Sequence, residues 1–301
     1  MSLMMTKATE YLQKFKTNFF WTTLATSAGT DIKARIVELM FHNKYGFYIR
    51  TKKGTKKVQE LIDHPLVTLS ICPPNDMSAV VAQAWVEVID DKKVCSEMWD
   101  ENMRNYGYSG PDDDRIVMCI FHITHIKHGK EEFAGEAINQ AAVDKANQTV
   151  AQAAPYAGPF QDKEADALIK KEIGEMQLCH LVTKHGAHQF NDRMMEVRRS
   201  DEFGLHCITN PQSEKYKEIT ANPNIVLLRE LRATMGQLEI VAEAVLCTDP
   251  EIKKKLWHAG LPSYGIESVD SPLYGLILFK PKTVFLHDIT NSTPQEFYYS
   301  R

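Results

Sequence analysis

The sequence predicts a mainly β, α+β protein built from two tandem copies of one antiparallel unit with short peripheral helices. Apolar residues alternate with the period of a strand in several segments of each half. A short helical segment that starts after a hydroxyl residue and stops before a proline also occurs in each half. Five residues recur at an interval of 158 positions: Arg35, Gly46, Thr51, Lys57 and Pro65 return as Arg193, Gly204, Thr209, Lys215 and Pro223. A chance repeat would not keep one interval over that length, so we infer an internal duplication.

The composition is that of an ordinary globular protein and excludes several classes. The chain has 301 residues, 44% of them hydrophobic and 25% charged, which is enough for two domains with cores. Its 35 basic and 39 acidic residues give a net charge of −4, so nothing in the balance indicates a nucleic-acid or membrane-surface partner. The six cysteines are dispersed without a CxxC pair, which is typical of a reducing compartment. Since the chain also lacks an apolar run of about 20 residues and a secretory signal, we expect a cytoplasmic protein.

The first elements follow the same order in both halves. A helix and three strands are predicted at 6–18, 19–26, 33–41 and 45–51, and again at 163–176, 178–183, 190–197 and 202–209. Each third strand ends in a threonine, Thr51 or Thr209. Because side chains alternate along a strand, this threonine faces the same way as the apolar residues at the two preceding odd positions.

Each third strand leads directly into a short helix. Thr55 and Ser213 stand where an N-cap is expected, before helices at 56–63 and 214–221 that stop at His-Pro or Asn-Pro. Further strands are predicted at 67–71, 80–89, 225–228 and 238–247. The repeat continues through Trp99, Tyr106, Gly107 and Phe121, which match Trp257, Tyr264, Gly265 and Phe279. The expected division is a first domain at 1–128, a linker at 129–162 whose partial helicity is left open, and a second domain at 163–301.

The second copy assembles groups that suit a phosphate dianion. Arg193 and Arg198 lie on one strand, Thr209 ends the next, and Ser213 and Lys215 open a helix. Guanidinium and ammonium groups bind phosphate oxygens, and hydroxyls and N–H groups at a helix N-terminus add donors. The first copy keeps four of these groups, Arg35, Thr51, Thr55 and Lys57.

The first copy departs from the second at one cation, since Met40 stands where the second copy has Arg198. Three nearby lysines, Lys52, Lys53 and Lys56, are candidates to restore the missing charge. A structural interpretation also competes for the arginines: Arg35 and Arg193 could each pair with a carboxylate on the barrel surface.

The doubled pattern of strand arginine, strand-ending threonine, hydroxyl residue, lysine and short helix before Asn-Pro resembles the FMN-binding split barrel of the pyridoxamine 5'-phosphate oxidase-like superfamily. The second copy is the closer match and resembles the general stress protein branch. The resemblance implies a fold of two tandem antiparallel split β-barrels, arranged as a pseudo-dimer within the chain or paired with a second chain as a homodimer. It also implies that the FMN phosphate and ribityl chain are held by Arg193, Arg198, Thr209, Ser213 and Lys215, and in the first copy by Arg35, Thr51, Thr55 and Lys57.

The function implied by this resemblance is FMN-dependent oxidoreduction of a small molecule, with a nicotinamide donor. The C-terminal segment 287–301 lacks the Arg and His pair of true pyridoxamine phosphate oxidases, which argues against vitamin B6 oxidation. The family also includes haem-handling and deazaflavin-dependent proteins, so the alternative is a non-catalytic flavin- or haem-binding protein with one or both sites degenerate. No catalytic acid or base stands out in the sequence.

For two further groups of residues, the histidines and two tryptophans, we favour a structural role. The histidines form two sets, His122, His125 and His128, and His180, His185 and His188. A spacing of three puts strand neighbours on opposite faces, and the second set has no matching Cys or carboxylate at a set spacing, so no metal site is predicted. Trp99 and Trp257 are interpreted as packing residues, with flavin stacking as the alternative.

Overall fold

The computed structural model describes residues 5–16, 21–28, 31–72, 79–148, 162–234, 236–287 and 295–298. Residues 17–20 of the predicted first helix and strand, and residues 288–294 and 299–301 of the C-terminal segment, lie outside the described residues. The chain divides into two compact units. One contains residues 1–30, 35–152 and 188–190, and the other contains residues 31–34, 153–187 and 191–301.

Among its described residues, the first half of the chain has eight strands and four α-helices. In chain order these are α1 Lys7–Lys16, β1 Trp21–Ala28, β2 Asp31–Glu38, β3 Met40–His42, β4 Gly46–Lys52, α2 Lys56–Asp63, β5 Leu66–Ile71, β6 Val80–Ile89, α3 Lys92–Glu97, a 3-10 helix Glu101–Tyr106, β7 Ile116–His128, β8 Glu131–Ala134 and α4 Gln140–Gln148. The strands form one antiparallel sheet in the order β2-β1-β5-β6-β7-β4-β3, with β8 added to β7. This sheet curves into a half-barrel.

The second half repeats the plan. Its elements are α5 Lys163–Ile173, β9 Met176–His185, β10 Gln189–Ser200, β11 Gly204–Thr209, α6 Glu214–Ala221, β12 Asn224–Leu231, a 3-10 turn Arg232–Thr234, β13 Gly236–Cys247, α7 Pro250–Lys255, a 3-10 helix Leu261–Tyr264, β14 Gly275–His287 and β15 Gln295–Tyr298. The strand order is β11-β10-β9-β12-β13-β14-β15, and β11 also pairs with β14. Six strands therefore close into a barrel, and the predicted class of antiparallel split barrels with short peripheral helices is confirmed.

Strand registers repeat at the same interval as the sequence. In the first half Thr51 pairs with Val117, and in the second half Thr209 pairs with Gly275. The register shift between Gln83 and Ala84 has its counterpart between Val241 and Ala242. Since a bulge is a local feature of one strand pair, its recurrence at the same position supports the duplication inferred from the sequence.

Each half has an inner core and a smaller outer cluster on the two faces of one strand, β4 in the first half and β11 in the second. Phe47 and Ile49 of β4 face the inner core, as the period of two predicts, and Thr51 is buried on the same face. Leu205, Cys207 and Thr209 of β11 do the same. The outer clusters contain Trp99 in the first half and Trp257 in the second, so both tryptophans pack against apolar neighbours, as predicted. Each fully buried aliphatic side chain stabilises the fold by about 1.5–3 kcal/mol.

The range predicted as a linker contains two packed elements. Strand β8 pairs with the end of β7, and Ala142 and Ala146 of α4 pack against Leu66. Both elements belong to the first unit, whose continuous part reaches residue 152. Within the described residues, no helix combines the length and apolar character needed to cross a membrane.

A glycine fixes the end of β8 and offers a test of this packing. The Gly135 N–H donates to the Thr124 carbonyl at 2.8 Å, and a Cβ at Gly135 would lie 2.0 Å from the Ile123 carbonyl oxygen. We expect Gly135→Ala to reduce the free energy of unfolding by about 1–3 kcal/mol or more, because the backbone must shift. Gly110→Ala is the control, since its Cβ would meet only an arginine tip at 4.0 Å. Equal urea midpoints for the two variants would contradict the packing of 131–135 on the sheet.

Candidate cofactor-binding site

Three of the predicted site residues of the second half lie together where β11 ends and α6 begins. Lys215 Nζ donates to Thr209 Oγ1 at 3.0 Å, and Thr209 Oγ1 lies 3.5 Å from Ser213 Oγ. Ser213 occupies the N-cap position, but its side chain makes no capping bond to the helix. The two hydroxyls and the ammonium group thus lie together at the N-terminus of an eight-residue helix. We call Thr209, Ser213 and Lys215 the corner.

Arg193 lies on β10 and is held by two partners. Its Nη1 donates to Thr183 Oγ1 at 2.8 Å, and its Nη2 donates to Glu218 Oε2 at 2.8 Å. The Glu218 carboxylate is buried on α6 and also accepts hydrogen bonds from Thr183 and Asn191. The carboxylate pairing considered as the structural interpretation of Arg193 is therefore present. The three charges of Arg193, Lys215 and Glu218 still sum to one positive charge.

The first half repeats this ion pair. Arg35 of β2 donates to Glu60 of α2, and Glu60 lies 158 positions before Glu218. Thr55 does cap its helix, since it accepts from the Val58 N–H at 3.4 Å. The two glutamates were missed by our sequence reasoning, although their shared interval and their place on the short helix were a signal that could have found them.

A buried threonine marks a difference between the two halves. The strand registers make Thr26 of β1 the counterpart of Thr183 of β9. Thr183 bridges the arginine and the glutamate, whereas the hydroxyl of Thr26 is buried without a hydrogen-bond partner among the described residues. The polar network of the first half is thus less complete, which costs stability because a buried hydroxyl has lost its hydration.

The electrostatics of both lysines reflect burial beside an arginine. Burial and then the charge of Arg35 lower the pKa of Lys57, Cys119 and Glu60 oppose them, and the net result is a pKa of about 8. Burial and then Arg193 likewise lower the pKa of Lys215. A dianion placed between the ammonium and guanidinium groups would favour the charged form of each lysine.

The glutamate of the second half is held ionised by its neighbours. Burial by itself would raise the pKa of Glu218. The charge of Arg193 and hydrogen bonds from Thr183, Asn191 and Arg193 outweigh burial and lower this pKa below its ordinary value. Glu218 therefore fixes the guanidinium but also reduces the positive potential at the corner.

Arg198 does not join this cluster. It lies five residues beyond Arg193 on the same strand, so the two side chains leave on opposite faces, about 16 Å apart along the strand. Its Nε donates to Glu196 Oε1 at 2.5 Å, and its strand partner is His206 on the outer face. The expectation that both arginines lie together in one cradle is wrong in this geometry, because their spacing is odd.

The three lysines considered as replacements for the cation missing at Met40 do not lie beside it. Met40 is buried in the outer cluster of its half. Lys53 pairs with Asp90, and Lys52 and Lys56 are exposed. None of these three lysines is buried beside Met40.

The histidines have individual partners. The His122 ring stacks on Trp85 with ring centroids 3.7 Å apart. The polar contacts are His122 with Glu136, His125 with Glu132, His128 with Tyr11, His180 with Asp192, and His188 with Asn147. Within the second unit, the ligand atoms of His185, Glu214 and Glu218 lie within 4.8 Å of one another. The Glu218 oxygens already accept hydrogen bonds from Thr183, Asn191 and Arg193, so a cation there would have to replace them.

The donor set at the start of α6 fits the phosphate of FMN. It offers an ammonium group, two hydroxyls, the N-terminal N–H groups of the helix and a guanidinium nearby, with a net positive charge. Gly275 opposite Thr209 is also required, because a Cβ there would lie 2.7 Å from the Thr209 carbonyl oxygen. The fold and this corner together give a split-barrel domain whose donor groups have the chemistry suited to a phosphate.

One family model matches the second half of the chain. The profile described as "Pyridoxamine 5'-phosphate oxidase like" matches residues 164–294. The second half is therefore similar to the pyridoxamine 5'-phosphate oxidase-like family, which confirms the resemblance inferred from its motif. Among curated proteins, none matches this chain.

Solved structures similar to this chain include three bacterial proteins. General Stress Protein 26 from Bacillus anthracis is 24% identical, covers 44% of this chain and 97% of its own, and has a TM-score of 0.38. A protein related to general stress protein 26 from Clostridium acetobutylicum is 16% identical, with coverages of 46% and 96% and a TM-score of 0.39. A pyridoxamine 5'-phosphate oxidase-related, FMN binding protein from Nostoc punctiforme is 15% identical, with coverages of 44% and 84% and a TM-score of 0.35.

The lowered pKa of Lys57 predicts a pH-dependent effect on stability. Below pH 8 the lysine is charged in both the folded and the unfolded chain, so its burial destabilises the fold. From about pH 8 to the ordinary value of 10.5 the unfolded chain binds more protons, so stability rises with pH and the penalty disappears. We expect Lys57→Met to be more stable than the native chain by about 1–2 kcal/mol at pH 7, allowing for partial exposure, and to lose this advantage by about pH 10.5.

The measurement is urea unfolding of the ligand-free chain across this pH range. Lys52→Met is the matched control, since Lys52 is exposed at the end of β4. A Lys57→Met advantage that does not change with pH would show that the gain comes from apolar packing and not from removing a buried charge.

Proposed function

We propose that the protein is an FMN-binding oxidoreductase of the pyridoxamine phosphate oxidase-like type that acts on a small molecule. The observation that carries this proposal is the corner formed by Thr209, Ser213 and Lys215 in a domain assigned to that family. A solved structure similar to the chain carries the words "FMN binding" in its description, which adds support. The reaction partners are a small-molecule substrate and a nicotinamide donor.

Each residue of the corner has a distinct role in holding the cofactor. Lys215 supplies a point charge for the phosphate, and its bond to Thr209 fixes the direction of the ammonium group. The Ser213 hydroxyl is not used by the helix cap and is available to the phosphate. Arg193, fixed by Glu218, adds positive potential without freedom to leave the barrel wall. Bound FMN would supply the electron and hydride transfer, and the chain supplies binding and orientation.

The first half supplies the equivalent groups, but one of its hydroxyls is held by the helix cap. Arg35, Thr51 and Lys57 are arranged on the same elements, but the Thr55 hydroxyl caps its helix. We therefore propose a weaker second site there. We also propose a dimeric arrangement, either within one chain or between two chains. The six cysteines are free thiols, which suits the proposed cytoplasmic location.

A non-catalytic flavin- or haem-binding protein is the second candidate. It is favoured by the ion pairs that occupy Arg35 and Arg193 in both halves, since each glutamate reduces the charge available to a phosphate. The absorption spectrum of the purified protein separates the candidates. A flavin spectrum that is bleached by a nicotinamide donor supports the oxidoreductase, a flavin spectrum that stays unchanged supports a carrier, and a haem band supports haem binding.

The second-half corner predicts a selective loss of flavin affinity. We expect Lys215→Met to weaken FMN binding about 10- to 100-fold at the tighter site, because a charge-assisted hydrogen bond contributes about 1.5–3 kcal/mol. The affinity is measured by quenching of FMN fluorescence on titration with the protein. Arg199→Met is the control, since Arg199 lies on β10 and pairs with the exposed Asp201. A chain that binds no FMN would overturn the proposed function, and equal affinities of the two variants would remove Lys215 from the site.

A further inference from the structure

The two equivalent lysines of the duplicated halves differ in their polar contacts. Lys215 Nζ donates to Thr209 Oγ1 at 3.0 Å. Among the described residues, Lys57 makes no hydrogen bond or ion pair, and the hydroxyl of Thr51, the counterpart of Thr209, makes no hydrogen bond. Both lysines are half-buried, so exposure does not explain the difference. The first half thus has an amine and a hydroxyl whose hydrogen-bonding capacity the described residues do not use.

The charged neighbours of Lys57 are already engaged with each other. Arg35 of β2 donates to Glu60 of α2, and both side chains of this ion pair are mostly buried. The charge of Arg35 disfavours the charged form of Lys57 more strongly than Glu60 favours it. Lys57 is therefore a half-buried amine that has a cation beside it and no counterion of its own.

These surroundings give Lys57 the chemistry of a nucleophile. Burial and then Arg35 lower its pKa, the Cys119 thiol of β7 and Glu60 oppose them, and the net value is about 8. With such a pKa about a tenth of the side chain is uncharged at pH 7. An uncharged amine attacks carbonyl carbon, and lysines that are desolvated or lie beside another cation are those that form imines.

The neighbouring groups also indicate which carbonyl compounds the first half would hold. Arg35, Glu60 and a protonated Lys57 together carry one positive charge, which attracts an anion before the amine reacts. Thr51 ends β4 just before α2, and its unused hydroxyl can donate to an anionic oxygen. The polar groups around the amine therefore suit a compound that carries a negative charge beside its carbonyl group.

We propose that Lys57 forms an imine with a small aldehyde that carries a carboxylate or a phosphate. The lone pair of Nζ bonds to the carbonyl carbon, and a proton passes from nitrogen to oxygen to give a carbinolamine. Loss of one water molecule, made from the hydroxyl and the remaining N–H proton, leaves the C=N bond. No oxidant or reductant is consumed. The inference goes beyond the proposed function because the step needs no flavin, although the aldehyde and FMN would compete for the same groups of the first half.

The test traps the imine by reduction. The full chain, without added FMN, is incubated with glyoxylate or glycolaldehyde phosphate and with cyanoborohydride, which delivers hydride to the C=N bond and leaves a secondary amine. Peptide mass spectrometry then measures the labelling of each lysine. The controls are Lys52, which is exposed, and Lys215, which is also half-buried but donates to Thr209. We expect labelling of Lys57 to be about 10-fold faster than that of Lys52 at neutral pH, and faster than that of Lys215.

The pH dependence of this preference follows from the lowered pKa. The ratio of Lys57 to Lys52 labelling should be constant below about pH 8 and should fall between pH 8 and 10.5, because ordinary lysines lose their protons only in the higher range. The ratio cancels the effect of pH on the reductant.

The anionic group is tested with a neutral aldehyde and a second variant. Propanal should need about a 10-fold higher concentration than glyoxylate or glycolaldehyde phosphate to label Lys57 to half its maximum. Thr51→Val should raise the half-saturating concentration of the anionic aldehydes about 5- to 10-fold and leave that of propanal unchanged. The anionic aldehyde that saturates at the lower concentration identifies the group that the site prefers.

Four results would overturn the inference. Labelling of Lys57 no faster than that of Lys52 shows that Lys57 is not a nucleophile, and so does labelling that requires urea. Equal labelling of Lys57 and Lys215 shows that their different contacts do not matter. Equal half-saturation by propanal removes the anionic class. A chain that binds no FMN but is labelled selectively at Lys57 removes the proposed function and supports this inference, so the two can fail separately.

Discussion

Pairing of β4 with β7 in the first half, and of β11 with β14 in the second, is the constraint on which the site depends. In the second half this pairing, β11 with β14, closes the barrel and fixes Thr209 opposite Gly275. The absence of a side chain at Gly275 allows the two backbones and Pro211 to approach closely. Thr209 can then end its strand at the start of α6, where Lys215 reaches it within one helical turn. The same pairing in the first half, β4 with β7, sets Thr51 and Lys57 in the equivalent places.

The corner that this pairing creates is electrostatically unusual for a barrel wall. Lys57 and Lys215 are partly withdrawn from water beside an arginine, which lowers the pKa of both. Glu60 and Glu218 offset the arginines and keep the ligand-free fold from holding uncompensated positive charge. A bound phosphate would oppose the lowering of the pKa of both lysines, so binding and protonation are coupled.

The outer faces of the two halves each hold an arginine beside a glutamate at the same position of the repeat. The glutamates at positions 38 and 196 keep the same place, yet Arg50 accompanies the first and Arg198 the second. Moving the arginine to a neighbouring strand is possible because diagonal positions share a face. The consequence for the first half is a more buried guanidinium, packed against Tyr106 and held near two partly exposed carboxylates.

The sequence by itself determined the antiparallel class, the matching residues at an interval of 158, the short helices after Thr55 and Ser213, and the inward face of Thr51 and Thr209. These follow from local periods and from intervals along one chain, which need no knowledge of distant contacts. Only the tertiary structure decided that Arg193 is held by Glu218, that Arg198 lies outside that cluster, that Arg50 stands beside Glu38, and that β8 and α4 belong to the first unit. The physical reason is that partners of a strand side chain are set by register and by the face it occupies, and these depend on pairing between segments far apart in the chain.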